Sequence, residues 1–233
     1  MKKHIPNFIT ILNLLLGCLA IVFLFEGEYL YVFITIFIAG WLDVGDGLAA
    51  RLLGVYSDLG KELDSLADMV SFGVVPGTIM FLLIDQSLPE SDSFHPLALI
   101  GFLVTAFSCL RLAKFNIDTR QTDYFLGVPT PANTACTVGL MMVYAANEPL
   151  WGILNNTWIL IGVSLVLSYL LVAEIPMFSL KMKNFKWKGN EVRFIYFPLA
   201  IALIIGLGWS AFPIGFVLYV IASILDRMIF QKS

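Results

Sequence analysis

Residues 29–50 read YLYVFITIFIAGWLDVGDGLAA, a largely uncharged run that ends in two aspartates. About 20 mostly apolar residues in a helix are enough to cross the hydrocarbon core of a membrane. A second run of this kind, residues 63–84, follows after a short link and begins with two more aspartates. Because the link is short, we expect the two helices to lie antiparallel and side by side, with the carboxylates at one membrane surface.

The composition of the whole chain also indicates a membrane protein. Its 233 residues are 59% hydrophobic and 13% charged, whereas soluble domains are about 45–50% apolar and about 25% charged. The net charge of −3 offers no basic surface, so no nucleic-acid partner is expected. The three cysteines lie in apolar runs without a C-x-x-C pair, which argues against disulfides and zinc. They are Cys18, Cys109 and Cys136.

Eight apolar runs are candidate membrane spans. They cover residues 8–25, 29–50, 63–84, 96–116, 130–147, 157–178, 193–209 and 211–230. The last two runs meet at residues 209–213, where we expect a tight hairpin. The sequence therefore predicts an all-α, polytopic membrane helix bundle of about eight transmembrane helices, forming a single integral-membrane domain over residues 1–233.

Charge placement predicts the orientation of this bundle. If the N-terminus is inside and the eight spans alternate, all 14 lysines and arginines fall in the inside segments. The loop after the third run is acidic and lies outside. Short loops with an excess of Lys and Arg face the cytoplasm. We therefore expect both termini and the aspartates to face the cytoplasm. The basic loop at residues 181–188 is expected mainly to fix this orientation, and only secondarily to gather anionic lipid.

The four aspartates are the main candidates for chemistry, because charges inside membrane segments are costly and usually functional. Asp43 and Asp46 are three residues apart, and Asp64 and Asp68 are four apart, so each pair shares one helix face. Carboxylates packed together repel one another unless cations or protons relieve the repulsion. Oxygen ligands without His or Cys suit Mg²⁺, Mn²⁺ or Ca²⁺, and four of them leave room for two ions that clamp phosphate oxygens.

The cluster has two other interpretations. The carboxylates could be ordinary helix-end residues paired with Arg51 and Lys61, or they could line the path of a divalent-cation transporter. Small residues beside them favour a phosphate or nucleotide site, because only Gly or Ala lets a ligand approach the helix backbone closely. A polar stripe of Asn7, Thr10 and Asn13 enters the first run, where packing hydrogen bonds are favoured over contact with such a site.

The chain resembles the CDP-alcohol phosphatidyltransferase family, whose signature is D-x2-D-G-x2-A-R-x8-G-x3-D-x3-D. Every fixed position is matched, by Asp43, Asp46, Gly47, Ala50, Arg51, Gly60, Asp64 and Asp68. The resemblance implies an integral-membrane enzyme that transfers a phosphatidyl group from a CDP-linked lipid to an alcohol and releases CMP.

The same resemblance assigns roles to the matched residues. The four aspartates would hold two divalent cations, Mg²⁺ or Mn²⁺, and Asp68 would also be the general base. The CDP pocket is assigned to Gly47, Ala50, Arg51, Gly60 and Ser65. A homodimer is a further family expectation. Residues 1–178 would form the six-helix core, and residues 190–233 the extra helix pair.

The acceptor is predicted from two further motifs. Residues 64–73 read DSLADMVSFG and residues 111–116 read RLAKFN, followed by GVPTP at 127–131. They resemble the branch of the family that uses serine, except that Lys114 replaces the usual arginine. This resemblance implies CDP-diacylglycerol and L-serine as substrates and phosphatidylserine as product. Arg111 and Lys114 could bind the serine carboxylate or be ordinary anchors. Inositol phosphate, glycerol 3-phosphate and choline remain alternative acceptors.

Overall fold

A computed structural model describes residues 4–89, 94–117, 125–178 and 190–230 of the protein. Ten α-helices are found in these ranges: α1 (Ile5–Phe25), α2 (Tyr29–Leu53), α3 (Asp58–Met69), α4 (Val75–Gln86), α5 (Leu103–Ile117), α6 (Thr130–Ala145), α7 (Pro149–Leu154), α8 (Thr157–Val172), α9 (Glu191–Leu207) and α10 (Ala211–Phe230). A π-helical turn at Val70–Val74 joins α3 to α4, and 3₁₀ segments at Pro96–Phe102 and Gly208–Ser210 precede α5 and α10. The bundle is thus almost entirely helical.

One short antiparallel ladder interrupts the helical architecture. Strand β1 (Phe125–Leu126) pairs with β2 (Pro176–Met177), so that Phe125 lies opposite Met177. The predicted helical run at residues 157–178 therefore ends early, at Val172. Ala173 adopts an extended backbone and the chain then enters β2, where a proline suits an edge strand. The ladder ties the segment before α6 to the segment after α8.

The apolar helices support the predicted membrane bundle. Five segments of the described ranges are long and apolar enough to cross a membrane: Ile5–Phe25, Tyr29–Leu53, Asp58–Gln86, Pro96–Ile117 and Glu191–Asp226. Two further predicted runs correspond to α6 and α8, each of 16 residues. The basic loop at residues 181–188 lies outside the described residues. The protein is an all-helical membrane bundle, and the count of eight spans remains a prediction.

The third span begins earlier than the sequence predicted. It starts at Asp58 instead of residue 63, because Ser57 caps α3 by accepting a hydrogen bond from the Gly60 amide at 3.0 Å. The helix then continues without a break through the π-turn to Gln86. Most residues of α4 are buried, whereas Ala67 is the buried residue of α3. The first half of this span is therefore held much less firmly by packing than the second half.

The predicted hairpin between the last two helices is confirmed, with its turn at Gly208–Ser210. The Tyr196 hydroxyl of α9 donates to the Gly215 carbonyl of α10 at 3.3 Å, which requires the chain to reverse between them. Gly208 supplies the reversal with a positive φ of 56°. Glu148, at the start of α7, accepts hydrogen bonds from the backbone amides of Trp209 and Ser210 at 2.9 and 2.8 Å and from the Ser210 hydroxyl. This carboxylate fastens the hairpin to the other helices.

Candidate functional site

Three of the predicted carboxylates come together between α2 and α3. Asp43, Asp64 and Asp68 each offer a carboxylate oxygen, and these atoms all lie within 4.8 Å of one another. One oxygen of Asp64 and one of Asp68 are buried, and no donor in the described part of the chain reaches them. Buried oxygens without donors are rare in folded proteins. This donor set fits a hard divalent cation, which takes several carboxylate oxygens.

Asp46 lies apart from this three-residue cluster. It is buried, and it accepts a hydrogen bond from the Thr10 hydroxyl of α1 at 2.5 Å. The same hydroxyl lies 3.1 Å from the Pro6 carbonyl, as for a shared donor. Thr10 thus contacts a predicted metal ligand, which is the role that the sequence favoured less for the polar stripe. Asp46 also interacts electrostatically with Asp64 and Asp68.

A cavity of about 1070 Å³ lies beside the carboxylates. Its walls come from the start of α1, the end of α2, the following link and the start of α3. Four residues predicted for the CDP pocket line it, namely Gly47, Ala50, Arg51 and Gly60, together with Asp46 and Asp64. The cavity therefore joins the predicted nucleotide residues to the carboxylates.

The two glycines of the cavity differ in what surrounds them. A Cβ at Gly47 would meet nothing within 4 Å, so a side chain there would project into free space. A Cβ at Gly60 would lie 3.1 Å from the Ser57 hydroxyl and 3.2 Å from the Asn7 side-chain oxygen. Gly47 thus leaves the backbone of α2 open to a ligand, and Gly60 allows α1 and α3 to approach.

Arg51 and Lys61 each bond to a backbone carbonyl. Arg51 Nε donates to the Gly47 carbonyl at 3.1 Å, and Lys61 Nζ donates to the Asn116 carbonyl at 3.0 Å. Within the described ranges, neither side chain forms an ion pair with Asp64 or Asp68. The alternative in which these cations pair with those two aspartates is therefore disfavoured.

Ser65 lies in the contact between α3 and α5 and is not among the residues that line the cavity. Its hydroxyl accepts a hydrogen bond from the Asn116 side chain at 2.8 Å and donates to the Lys61 carbonyl at 3.2 Å. Asn116 ends the RLAKFN motif, but its partner could not be identified from the sequence. The contact fixes the end of α5 against the helix that carries Asp64 and Asp68.

The two candidates for the acceptor site lie in different environments. Arg111 is only 9% exposed, interacts electrostatically with Asp68, and approaches the Thr130 hydroxyl at 3.4 Å. Its Nε is buried without a partner among the described residues. Lys114, one turn later, is exposed. Tyr219 of α10 also interacts electrostatically with Arg111, a contact that nothing in the sequence indicated.

Comparison with known proteins agrees with the fold and the site. Membrane-length helices that bring carboxylates beside a cavity of this size define a class of membrane enzyme that can act on phosphate compounds. The family model described as CDP-alcohol phosphatidyltransferase matches residues 3–170. The chain belongs to the CDP-alcohol phosphatidyltransferase family, which confirms the family predicted from the signature.

Individual relatives cover most of the chain. A Bacillus subtilis (strain 168) protein is 38% identical over 193 residues, which are 81% of this chain and 95% of the relative. A Helicobacter pylori (strain J99) protein is 30% identical over 98% of this chain and 95% of its own length. A Mycobacterium leprae protein is 32% identical over 74% of this chain and 57% of its own length. All three are named CDP-diacylglycerol–serine O-phosphatidyltransferase.

Proposed function

We propose that this protein transfers a phosphatidyl group from CDP-diacylglycerol to L-serine, giving phosphatidylserine and CMP. The observation that carries the proposal is the cluster of Asp43, Asp64 and Asp68 at the edge of a cavity lined by residues of the family signature. The names of relatives that align along most of the chain support serine as the acceptor.

The four aspartates of the signature would hold two divalent cations, Mg²⁺ or Mn²⁺. Asp43, Asp64 and Asp68 already lie together, and Asp46 would join them from its position beside Thr10. Bound ions would neutralise the diphosphate and stabilise the departing CMP. Carboxylates without hydrogen-bond donors are suited to this task, because no protein group has to be displaced from the buried oxygens of Asp64 and Asp68.

The cavity would hold the CDP part of the lipid substrate. The open surface at Gly47 allows the diphosphate to approach the backbone of α2, and Ala50 keeps the next turn small. Arg51 lines the same cavity and can give a positive charge to the diphosphate. Ser65 would act from behind the cavity, through its hydrogen bond with Asn116.

Asp68 is proposed as the general base. It would accept the proton of the serine hydroxyl while the serine oxygen forms a bond to the phosphorus that carries diacylglycerol. The bond from that phosphorus to the oxygen bridging to CMP breaks, and CMP leaves with the electron pair. No covalent bond to the protein is needed. Arg111, close to Asp68, offers the positive charge that a serine carboxylate requires.

Arg111 is therefore proposed as the main residue of the acceptor site. Its burial makes a hydrogen-bonded pair with a carboxylate strong, because water competes weakly there. The exposure of Lys114 favours the alternative role, an anchor at the membrane surface. Lys114 would then affect how the acceptor reaches the site and not how tightly it is held.

The remaining proposals concern the setting of the enzyme. We propose a single domain with eight spans, a six-helix core over residues 1–178 and an added pair over residues 190–233. Its location would be the cytoplasmic membrane, with both termini and the active site facing the cytoplasm, in a homodimer. The distribution of Lys and Arg supports this orientation. Labelling of single introduced cysteines from each side of oriented vesicles tests the topology, and light scattering of the detergent complex tests the dimer.

Purified protein in detergent tests the reaction. CDP-diacylglycerol is supplied with Mn²⁺ or Mg²⁺ and one alcohol at a time, and the lipid product is followed by mass spectrometry together with CMP. Phosphatidylserine formed only with serine and metal supports the whole proposal. Transfer to another alcohol instead contradicts serine as acceptor. Absence of transfer with every alcohol, together with divalent-cation flux in liposomes, would favour a transporter.

A further inference from the structure

The π-helical turn at Val70–Val74 directly follows the last carboxylate of the site. The amide of Val75 donates to the carbonyl of Val70, a spacing of five residues instead of four. Such turns are rare, and they occur mostly as single insertions in α-helices, frequently at functional sites. One additional residue in a turn rotates the two flanking helices relative to each other by about 100°. The π-turn therefore sets the direction in which Asp64 and Asp68 point relative to α4.

Pro76 explains from the sequence why a π-turn forms here. It lies inside the continuous helix, one residue after α4 begins. Proline has no N–H, and in an α-helix its ring clashes with the carbonyl four residues earlier, here Phe72. The Phe72 carbonyl thus cannot receive its α-helical hydrogen bond. The buried hydroxyl of Thr134 in α6 lies 3.2 Å from it, and shares its proton between this carbonyl and the Thr130 carbonyl of its own helix at 2.9 Å.

Two more helices hold the turn by their polar groups. Thr105 of α5 donates to the Gly73 carbonyl at 2.9 Å. The Ser71 hydroxyl donates to the Asn13 carbonyl of α1 at 3.0 Å. We call Ser71, Thr105 and Thr134 the π-turn clamp. Its three hydrogen bonds attach one turn of helix to α1, α5 and α6.

Packing decides which half of the span moves if the clamp is lost. Residues 75–80 of α4 are all buried, whereas α3 has one buried residue, Ala67. A relaxation of the π-turn to an α-turn must rotate one half against the other. Because α4 is fixed by its surroundings, the rotation would fall on α3, and Asp64 and Asp68 would turn away from Asp43.

We propose that Thr134, Thr105 and Pro76 are positioning residues for the carboxylate site, a proposal that rests on the proposed function. The clamp keeps the π-turn, and the π-turn keeps Asp64 and Asp68 directed at Asp43. None of the three is among the residues that line the cavity or form the carboxylate cluster. They act by fixing the rotation of α3.

Pro76→Ala separates positioning from general stability. The substitution restores an N–H at position 76, so the Phe72 carbonyl can receive an α-helical bond and the helix can lose its π-turn. Alanine is also the better helix former. Simple stabilisation of the fold would thus leave metal binding unchanged or improved. Positioning predicts weaker metal binding in a protein that is still folded.

The test measures binding of Mn²⁺ alone to the full-length protein in detergent, by the electron paramagnetic resonance signal of the free ion. Thr134→Val and Pro76→Ala should each weaken Mn²⁺ binding about tenfold. Thr134→Ser keeps the hydroxyl and should bind within about twofold of the natural protein. Two controls should bind unchanged: Thr35→Val, whose hydroxyl bonds within α2, and Pro198→Ala, inside α9. Thermal unfolding of each variant shows that it is folded.

The outcomes distinguish this inference from the proposed function. If the natural protein does not bind Mn²⁺, the metal site of the proposed function is wrong. If it binds, and folded Thr134→Val and Pro76→Ala bind as tightly, the positioning role is overturned and the proposed function stands. Should Thr134→Val fail to fold, the result for Pro76→Ala decides, with Pro198→Ala as its reference.

Discussion

The carboxylates at the two ends of the long helix from Asp58 to Gln86 differ in their hydrogen bonding. Near its beginning, Asp64 and Asp68 each have a buried oxygen that no described residue contacts with a hydrogen bond. Near its end, Asp85 is paired with His95 Nδ1 at 2.9 Å, and Ser87 and Thr157 are joined by hydrogen bonds. The satisfied polar groups hold helices together, whereas the buried oxygens of Asp64 and Asp68 are available to the proposed metal ions. The comparison separates the part of the protein that is built for chemistry from the part that is built for stability.

Glu148 belongs to the second kind of site. Burial raises the pKa of Glu148, but hydrogen bonds from the Ser210 hydroxyl and from the amides of Trp209 and Ser210 outweigh it and bring the pKa below its ordinary value. The ionised carboxylate is thus the form that the fold prefers. It joins the α9–α10 hairpin to the start of α7, well away in sequence from the signature.

Replacing one aspartate by asparagine at each end of the long helix is expected to give the largest difference in CMP release between two variants. Asp68→Asn removes the proposed general base and one carboxylate of the cluster, and CMP release should fall by about 10²–10⁴-fold. Asp85→Asn loses the pair with His95 and should lower the unfolding temperature with CMP release unchanged. Steady-state CMP assays and thermal unfolding of both variants check this. A loss of activity in Asp85→Asn as large as that in Asp68→Asn would contradict the division between the two ends.

Arg111 and Lys114 provide the next comparison, within a single turn of α5. Arg111→Gln should cost about 2 kcal/mol of transition-state binding, or roughly 30-fold in kcat/KM for serine, because a buried charged hydrogen bond is lost. Lys114→Gln should change kcat/KM little, since its side chain is exposed. The measurement varies serine at saturating CDP-diacylglycerol. Equal losses of kcat/KM in the two variants would mean that Lys114 also belongs to the acceptor site.

A smaller effect is expected where α3 meets α5. Asn116→Ala removes the hydrogen bond to Ser65 and the support that it gives to the carboxylate helix. In a double-mutant cycle with Ser65→Ala, the coupling free energy should be about 1 kcal/mol, measured from CMP release at subsaturating Mn²⁺. Full additivity of the two substitutions would mean that this hydrogen bond does not support the site, and that Ser65 acts on CDP directly.

The smallest effect on catalysis is expected at Glu148, where the effect on stability should be clear. Because the folded pKa is depressed, the hydrogen-bonded carboxylate adds stability above its unfolded pKa, and this stability is lost as the pH falls through the folded value. Unfolding temperatures measured between about pH 3 and pH 7 should therefore fall at the acid end. Glu148→Gln should be less stable at pH 7 and show a flatter acid profile, with kcat preserved. An unchanged acid profile would show that Glu148 does not fasten the hairpin.

Much of this arrangement could be predicted from local sequence. Apolar runs indicate helices of membrane length, and the helix period alone places Asp64 and Asp68 on one face. The predicted approach of Asp43 to both follows from a short link, and the structure brings the three together. These predictions succeed because they depend on helix periodicity and on the short link between α2 and α3.

What could not be predicted depends on partners distant in the sequence. Thr10 lies 36 residues before Asp46, and Asn116 lies 51 residues after Ser65, so nothing near either residue signals the contact. Pro76 is visible in the sequence, but a proline can end a helix or distort it, and only the structure shows the distortion, as the π-turn at Val70–Val74. The difference between Arg111 and Lys114 likewise depends on what packs around α5.

The start of α1 has a practical consequence for anyone who purifies this protein. His4, Pro6 and Asn7 form part of the wall of the cavity. An affinity tag fused ahead of the first residue would therefore lie close in sequence to the wall of the cavity that we propose for the CDP part of the substrate. A polyhistidine tag there would also bring metal-chelating side chains to a metal-dependent site, and would distort apparent affinities for both metal and CDP-lipid. The tag belongs at the other end of the chain.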